Sequence, residues 1–443
     1  MSEAKFQEGL AHQRAGRLDE AQKCYRVVLK EQPQHYGALY LSGVTALQLR
    51  NPARALDFFD KAAAVDPRKP EIFYNRGIAL AELGDHAAAL QSYDKALALN
   101  PGYAIAYNNR GNVLSALKRH EEALASYEAA LKLQPEDPTA LNNRGIALRE
   151  LKRYTAAMAS FDAALRVAPD YAEAQYNRGV TLAALERFSD AVAGFDLALQ
   201  YSPDFADALV ARGGALRELK RNADAVRDYD RAMKIDHNIP FLFGTRLHAR
   251  MQIADWRDVE TAITGLTTRI KRKEKAAGST AVLALVDAPD IQRKAAQIWT
   301  QDKAVPAGAV VPIPKRARGD KIRLGYFSMD FREHPVSSLM AGLIEAHNRG
   351  RFHVTGFSYG LNVRDATRLR LESGFDEFLD VGAASDAEVV ALARAREIDI
   401  AVDLAGHTGE ARTEIMARRA APIQVNYLGY PGTMGAAYMD YIV

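Results

Sequence analysis

The sequence lacks the features that disulfide-stabilised, membrane-spanning and multi-cysteine metal proteins require. Cys24 is the only cysteine in 443 residues, which excludes an internal disulfide and a metal site built on several cysteines. No apolar run approaches the roughly 18 residues of a membrane-spanning helix, and the first residues lack the apolar stretch of a secretory signal. The formal net charge is only +3. We therefore expect a cytoplasmic protein without nucleic-acid, membrane or metal partners.

Several common chemical signatures are also missing. The sequence contains no GxGxxG dinucleotide fingerprint, no GxxxxGK[ST] phosphate loop, no HExxH zinc motif and no GxSxG nucleophile elbow. These absences leave no signal for a bound cofactor.

The strongest feature that is present is an internal repeat of 34 residues. Glycines recur at Gly9, Gly43, Gly77, Gly111, Gly145, Gly179 and Gly213. Aromatic residues follow at Tyr25, Phe59, Tyr93, Tyr127, Phe161, Phe195 and Tyr229, each preceded by an alanine four residues earlier. Prolines close the first six repeats at Pro33, Pro67, Pro101, Pro135, Pro169 and Pro203, and His237 replaces the seventh.

Each recurring residue type has a structural reason. Glycine and alanine let two helices approach closely, the aromatic ring fills the space between repeats, and proline ends the second helix. Stacked helix pairs then bury one continuous core, which predicts an α-solenoid over residues 1–237. The pattern resembles the tetratricopeptide repeat (TPR) family, which implies a protein-binding surface and a possible homodimer formed through the repeats.

Asparagine recurs two residues before the glycine in four consecutive repeats, at Asn75, Asn109, Asn143 and Asn177. In TPR folds this position faces the concave side of the first helices. An asparagine amide offers one acceptor and two donors, so a ladder of them suits the backbone of an extended peptide. The alternative is that these asparagines serve contacts between helices and merely recur with the repeat.

The sequence character changes after the repeats. Helical patterning continues to about Val305, with Trp256 as the predicted packing anchor, and the Pro- and Gly-rich segment 306–319 predicts a linker that completes a bridge of residues 238–319. Strands and helices then alternate over 320–443, which predicts a parallel α/β sheet. The predicted strands are Ile322–Ser328, Phe352–Tyr359, Ile398–Ala405, Ile423–Leu428 and Tyr441–Val443, and the predicted helices are Val336–Arg349, Asp365–Ser373, Ala387–Arg396 and Glu410–Arg418.

Three unusual loops follow predicted strands: DFREHP at 330–335, LAGHTG at 404–409 and LGYPGT at 428–433. The carboxyl ends of parallel strands share one edge, so we expect these loops to converge there. Glycines permit close approach of the backbone to a ligand, and His334 and His407 are candidates for a general base or a hydrogen-bond donor.

These loops carry a second resemblance. GYFSMDFREHPVSSLM and APIQVNYLGYPGT with MDY behind it are similar to the protein O-linked N-acetylglucosamine transferase family, including its SPINDLY-type members. The resemblance implies an inverting glycosyltransferase with two Rossmann-like lobes, a nucleotide-sugar donor such as UDP-N-acetylglucosamine, and Ser/Thr hydroxyls of proteins as acceptors. It maps the family's proposed catalytic base onto His334. Matching loop positions are Gly406, Thr408, Tyr430, Pro431, Gly432 and Thr433, which we group with His407 as predicted substrate-binding residues.

Two alternatives remain open at this stage. The α/β part contains one incomplete lobe, so we expect these 443 residues to be truncated relative to a complete enzyme and not to transfer sugar by themselves. A non-catalytic TPR adaptor is therefore one alternative, and a SPINDLY-type protein O-fucosyltransferase using GDP-fucose is the other.

Overall fold

The computed structural model describes residues 2–303, 312–314, 319–409 and 411–443. Among these residues, none of the helices combines the length and the apolar character needed to cross a bilayer. The chain divides into two compact units, Met1–Arg178 and Gly179–Val443. The second unit therefore contains most of the sixth repeat, the seventh repeat, the bridge and the α/β lobe.

Fourteen helices form the seven predicted repeats, two helices to each. The first helices have 13 residues and the second helices have 14. The first helices are α1 (Ser2–Arg14), α3 (Tyr36–Gln48), α5 (Pro70–Glu82), α7 (Ala104–Ala116), α9 (Pro138–Glu150), α11 (Ala172–Ala184) and α13 (Ala206–Glu218). The second helices are α2 (Leu18–Glu31), α4 (Pro52–Val65), α6 (His86–Leu99), α8 (His120–Leu133), α10 (Tyr154–Val167), α12 (Phe188–Tyr201) and α14 (Asn222–Ile235). The α-solenoid prediction is confirmed.

The turn inside each repeat uses a left-handed backbone conformation that the sequence pattern did not reveal. The residue two positions before the second helix has a positive φ in all seven repeats, yet only two of the seven are glycine. These residues are Gly16, Arg50, Gly84, Lys118, Lys152, Glu186 and Lys220. Left-handed backbone costs a non-glycine residue about 1–2 kcal/mol, so five of these turns are held by the packing of the helices around them.

Each repeat glycine packs against the aromatic residue of its own repeat. A Cβ placed on Gly145 would lie 2.5 Å from Cε1 of Phe161, and one on Gly111 would lie 2.5 Å from Cε1 of Tyr127. Both rings are almost fully buried. Glycine is therefore required by close helix contact, since these positions lie within regular helices.

Arginine immediately precedes the glycine in five consecutive repeats, and we call this series the arginine ladder (Arg76, Arg110, Arg144, Arg178, Arg212). Arg110 donates through Nε to Asp94 of the preceding repeat at 2.7 Å and through Nη1 to Ser126 of its own repeat at 2.6 Å. Arg76 makes the same two contacts with Asp60 and Ser92, both at 2.7 Å. Arg76 and Arg110 therefore each connect three helices.

Four helices form the bridge: α15 (Leu242–Gln252), α16 (Val259–Lys271), α17 (Ser279–Leu285) and α18 (Pro289–Asp302). The prediction that Trp256 anchors their packing is wrong, because its side chain is 53% exposed. Asp255 is held by Arg250 and Arg257, and the resulting turn leaves Trp256 in solvent. The aromatic anchor is Trp299, which meets Phe241 edge-on with ring centroids 4.7 Å apart. Most of the predicted linker, 306–319, lies outside the described residues.

The C-terminal lobe is a six-stranded sheet in which every neighbouring pair is parallel. Its strands are β1 (Ile322–Ser328), β2 (Phe352–Ser358), β3 (Glu377–Asp380), β4 (Ile400–Asp403), β5 (Ile423–Asn426) and β6 (Tyr441–Ile442), in the spatial order β3-β2-β1-β4-β5-β6. Its helices are α19 (Pro335–Ala346), α20 (Ala366–Gly374), α21 (Asp386–Ala395) and α22 (Thr413–Ala417). All five predicted strands are present, although four of them are shorter than predicted.

Two elements differ from the prediction. The edge strand β3 was missed because its four residues include two acids and are only partly buried. Helix α22 begins later than predicted, since the Arg412 side chain is anchored to the carbonyl groups of Val381 and Ala384 ahead of the helix. The first residue of the predicted helix, Glu410, lies outside the described residues.

Candidate functional site

The strand order places a topological switch point between β1 and β4, where the direction of winding reverses. The loops after these two strands contain His334 and His407. The third predicted loop follows β5, the next strand along the sheet. All three loops therefore leave from the same edge of the sheet, as predicted. Ligands of doubly wound sheets bind in the crevice at this edge.

His334 lies at the N-cap position of α19 and is about 38% exposed. Phe331 anchors the start of this loop because its ring is 1% exposed and packs against Phe375 and Phe378. The hydroxyl of Ser337 donates to the carbonyl of Asp330, which closes the loop onto the first turn of α19. The loop thus holds a histidine at the edge of the crevice with its ring accessible.

Two groups compete for Nδ1 of His334. The backbone N–H of Val336 donates to Nδ1 at 3.3 Å, and Oδ2 of Asp330 lies 3.7 Å away. When Nδ1 accepts from Val336, the neutral ring carries its proton on Nε2 and offers no base there. When Nδ1 instead carries the proton and faces Asp330, Nε2 is left with a free lone pair. Asp330 is 8% exposed, and its pKa is raised by burial against the opposing influence of His334 and Arg332.

Arg332 fixes the same loop from the outside. Its guanidinium forms a two-pronged ion pair with Glu186, with N–O distances of 2.6 and 3.0 Å. Glu186 is the left-handed turn residue of the sixth repeat. Bidentate arginine–carboxylate pairs hold orientation as well as distance. The histidine loop is therefore attached to the repeat array within the second unit, a contact that no sequence signal indicated.

His407 has a different environment from His334. It is 6% exposed, and Nε2 donates to the carbonyl of Met434 at 2.7 Å. Because a carbonyl only accepts, the proton resides on Nε2, and Nδ1 has no partner among the described residues. Burial lowers the pKa of His407, so the ring is neutral at neutral pH. Thr280 and Thr300 of the bridge helices contact this residue, and it positions the loop against the bridge.

The second and third loops pack on each other. Gly406 has φ +59°, and a Cβ there would meet the side chain of Tyr430. The Tyr430 ring is buried and lies edge-on to His407, with centroids 5.4 Å apart. Gly432 is buried against Leu283 of the bridge. Thr408 closes its own turn by donating to the carbonyl of Ala405 at 2.8 Å.

The remaining predicted residues of the third loop, Pro431 and Thr433, are exposed. Thr433 lines an open cavity of about 390 Å³ together with Gln297 and Asn426. The predicted substrate-binding residues therefore separate into a buried set that shapes the loops and a smaller exposed set. Their contact with substrate stays a prediction.

Two buried polar residues at this edge were missed. Asp403 ends β4, accepts hydrogen bonds from the N–H groups of Ala405 and Gly406 at 3.0 and 3.2 Å, and has its pKa raised by burial. Asn426 ends β5 at 1% exposure, and neither atom of its amide has a partner within the described part of the chain. A polar residue directly after an apolar strand run was the available signal.

The asparagine ladder is partly engaged inside the solenoid. The amide N–H groups of Asn109, Asn143 and Asn177 donate to Tyr74, Asn108 and Asn142 of the preceding repeats, each at 3.1 Å. Asn75 donates to Tyr40 in the same way at 3.0 Å. The first three ladder side chains are half-buried and Asn177 is buried. The contacts agree with the alternative of helix-to-helix bonding and leave peptide binding by Asn75, Asn109 and Asn143 as a prediction.

Among the described residues, one group of potential metal ligands lies close together: Glu8, His12 and Cys24, with ligand atoms within 4.8 Å of one another. Arg17 donates to Nδ1 of His12 at 2.9 Å, and Lys5 pairs with Glu8 at 2.7 Å. Burial also raises the pKa of the Cys24 thiol. A guanidinium donor keeps Nδ1 unprotonated and so leaves the proton on Nε2, which opposes metal binding there.

Comparison with known families agrees with this architecture. Segments that together cover residues 6–237 match the tetratricopeptide repeat family. Residues 308–443 match glycosyl transferase family 41. The chain belongs to the tetratricopeptide repeat family and carries a glycosyl transferase family 41 domain.

The curated relatives are much longer than the regions that they share with this chain. The probable UDP-N-acetylglucosamine–peptide N-acetylglucosaminyltransferase SEC of Arabidopsis thaliana is 42% identical over 140 residues, or 31% of this chain and 14% of the relative. The probable UDP-N-acetylglucosamine–peptide N-acetylglucosaminyltransferase SPINDLY of Oryza sativa subsp. japonica is 34% identical over 125 residues, or 27% of this chain and 13% of the relative. A solved Thermobaculum terrenum O-GlcNAc transferase mutant is 23% identical, with a TM-score of 0.34 over 76% of this chain and 53% of that chain.

Proposed function

We propose that this chain supplies the acceptor-binding solenoid and one catalytic lobe of a protein O-glycosyltransferase, which transfers N-acetylglucosamine from UDP-N-acetylglucosamine to serine and threonine hydroxyls. The observation that carries the proposal is the half-exposed His334 beside the switch point of a family 41 domain. The curated relatives are named for UDP-N-acetylglucosamine as donor and a peptide as acceptor, which supports this choice of substrates.

The lobe contributes proton transfer in this proposal. As the acceptor oxygen attacks the anomeric carbon, a new C–O bond forms, the bond from that carbon to the diphosphate oxygen breaks, and UDP leaves. The acceptor hydroxyl loses its proton at the same time, and Nε2 of His334 accepts it. Asp330, 3.7 Å from Nδ1, favours the tautomer that leaves Nε2 unprotonated. Asp330 acts through His334 and is a positioning residue.

The solenoid contributes acceptor binding. Within the described residues, the side-chain hydrogen bonds of Asn75 and Asn109 use the amide N–H, so the carbonyl oxygen remains as an acceptor for a peptide N–H. Because the residues recur every 34 positions, an extended peptide can repeat one contact along several repeats. Partner identity and a dimer through the repeats belong to this proposal as expectations.

The test is incorporation of radiolabelled sugar into acceptor proteins, with UDP-N-acetylglucosamine and GDP-fucose as separate donors. It is run on this chain and on a fusion to the C-terminal part of the Arabidopsis relative. We expect the fusion to incorporate N-acetylglucosamine, and we expect this incorporation to fall about 10²–10⁴-fold in its His334→Ala variant. His353→Ala is the matched control, since His353 lies near the amino-terminal end of β2, away from the carboxyl ends of the strands.

Other outcomes distinguish the alternatives. Incorporation from GDP-fucose alone would assign the donor to the SPINDLY-type alternative. Acceptor binding without incorporation from either protein would favour the adaptor. Incorporation that ignores His334→Ala would remove that residue from catalysis.

A further inference from the structure

The arginine ladder breaks at the junction of the first two repeats. The residue before the repeat glycine is arginine in five consecutive repeats, but it is Ser42 in the second repeat. The residue after the repeat aromatic is acidic in six repeats, but it is Arg26 in the first. Where Asp60 faces Arg76 at 2.7 Å, the preceding junction instead has Arg26 and Ser42. Arg26 thus replaces the acidic residue of the later junctions, and Ser42 replaces their arginine.

This exchange leaves space. A cavity of about 340 Å³ lies at the junction, between second helices α2 and α4 and the first helix α3. Ser42, 2% exposed, lines it at the position where the third to seventh repeats carry an arginine. Leu29, Leu39 and Phe58 supply its apolar lining. Phe58 occupies the position held by Ser92 and Ser126 in later repeats, so the lining is also more apolar than its equivalents.

The charged part of the lining is entirely basic. Arg26, Lys30, Arg54 and Lys61 line the cavity, and no acid does. Within the described residues, Arg26, Lys30 and Arg54 form no ion pair, whereas Lys61 pairs with Asp57 at 2.7 Å. Among the described residues, the guanidinium of Arg54 donates to the neutral amide of Gln22 at 3.1 Å and lies 5.7 Å from the centre of the Phe58 ring. Three cations therefore converge on an apolar cavity without a counter-charge.

We propose that this cavity binds an acidic peptide segment, with a carboxylate side chain at Arg26, Lys30 and Arg54 and a neighbouring apolar side chain against Phe58. A carboxylate is the group that every later junction supplies from within the chain, and guanidinium groups bind it in a directed geometry. The site uses mainly the second helices, whereas the asparagine ladder lies on the first helices. It is a binding site in addition to the proposed acceptor surface.

The probe is the fluorescein-labelled peptide Gly-Ser-Leu-Glu-Glu-Leu-Ser-Gly, measured against the full chain by fluorescence anisotropy. A peptide with glutamine in place of both glutamates should bind about tenfold more weakly, as expected for loss of a directed ion pair. The triple change Arg26→Asp, Ser42→Arg, Phe58→Ser gives this junction the residues Asp60, Arg76 and Ser92 of the next one. It should abolish binding at an unchanged melting temperature.

Lys30→Glu and Lys132→Glu form the matched control pair, because Lys132 holds the same repeat position as Lys30 three repeats later. We expect Lys30→Glu to weaken binding about tenfold and Lys132→Glu to have little effect. If the triple variant is destabilised, Arg26→Gln decides the question. Equal binding by the glutamine peptide, or unchanged binding by either Arg26 variant, would overturn the proposal. Tighter binding of the same peptide with phosphoserine for both glutamates would overturn the assignment to a carboxylate.

Discussion

Two adjacent glycines in α13 allow the packing argument to be tested within one helix. A Cβ at Gly213 would overlap the ring of Tyr229, with Cδ1 and Cζ 2.9 Å away, and that ring is 1% exposed. A Cβ at Gly214 would meet nothing within 4 Å. Replacing glycine by alanine inside a helix stabilises it by about 0.5–1 kcal/mol, and this gain applies to both positions.

The difference between the two variants isolates the steric term. Overfilling a packed core costs about 1–3 kcal/mol, so Gly213→Ala should be less stable than Gly214→Ala by about that amount. Relative to the parent, Gly214→Ala should be stabilised by about 0.5–1 kcal/mol. The ring of Tyr229 cannot move aside without displacing its buried neighbours, so relaxation removes only part of the cost.

The assay is native-state hydrogen exchange of α13 and α14, because a repeat array need not unfold in one step. Amides of both helices should exchange faster in Gly213→Ala and more slowly in Gly214→Ala. Circular dichroism checks that both variants keep their helix content. Equal protection in the two variants would show that the repeat glycine is not required by contact with the aromatic ring.

Three further predictions concern the turns, the buried histidine and the positioning carboxylate. Lys152→Gly, at a turn with φ +60°, should raise the free energy of unfolding by about 0.5–1 kcal/mol in urea titrations. Gly84→Ala, at a turn with φ +80°, should lower it by about 1–2 kcal/mol. A change of the same sign in both variants would contradict the left-handed turn. Because burial lowers the pKa of His407 below its unfolded value of 6.5, the unfolded state binds more protons at pH below about 6.5, so stability should fall as the pH drops through this range. His407→Gln should flatten that dependence in melts between pH 7.5 and 5.5, and an unchanged slope would count against it. Asp330→Asn should lower kcat with little change in the acceptor KM, and an effect on KM alone would contradict its positioning role.

The periodic part of the fold was predictable because its cause is local and repeated. A glycine and an aromatic residue, such as Gly145 and Phe161, recur at the same spacing in every repeat. Seven copies of the same packing constraint therefore fix the number and length of the helices. The strands were found because β1, β2, β4 and β5 are apolar runs. The strand β3 has only four residues, three half-buried and one exposed, which are too few to stand out from a loop.

The candidate site was predictable as a location but not as a set of contacts. Loops that follow parallel strands leave from the same edge of the sheet. The sequence therefore predicted that the loops of His334 and His407 lie at one edge, as the structure shows. Sequence could not show that His407 is buried against Thr280 and Thr300, since those residues are more than 100 positions away. The same holds for Arg332 and Glu186, which are brought together by tertiary packing alone.

In the proposed enzyme, the solenoid binds the acceptor protein and the α/β lobe accepts the proton of the acceptor hydroxyl. The most direct test measures kcat and acceptor KM separately for His334→Ala and for Asn109→Ala/Asn143→Ala, in whichever protein incorporates N-acetylglucosamine. We expect His334→Ala to lower kcat by about 10²–10⁴-fold with little change in KM. We expect the double asparagine variant to raise KM and leave kcat unchanged, because each lost hydrogen bond weakens acceptor binding by about 0.5–1.5 kcal/mol. A lowered kcat in the asparagine variant with unchanged KM, or a raised KM in His334→Ala with unchanged kcat, would contradict it.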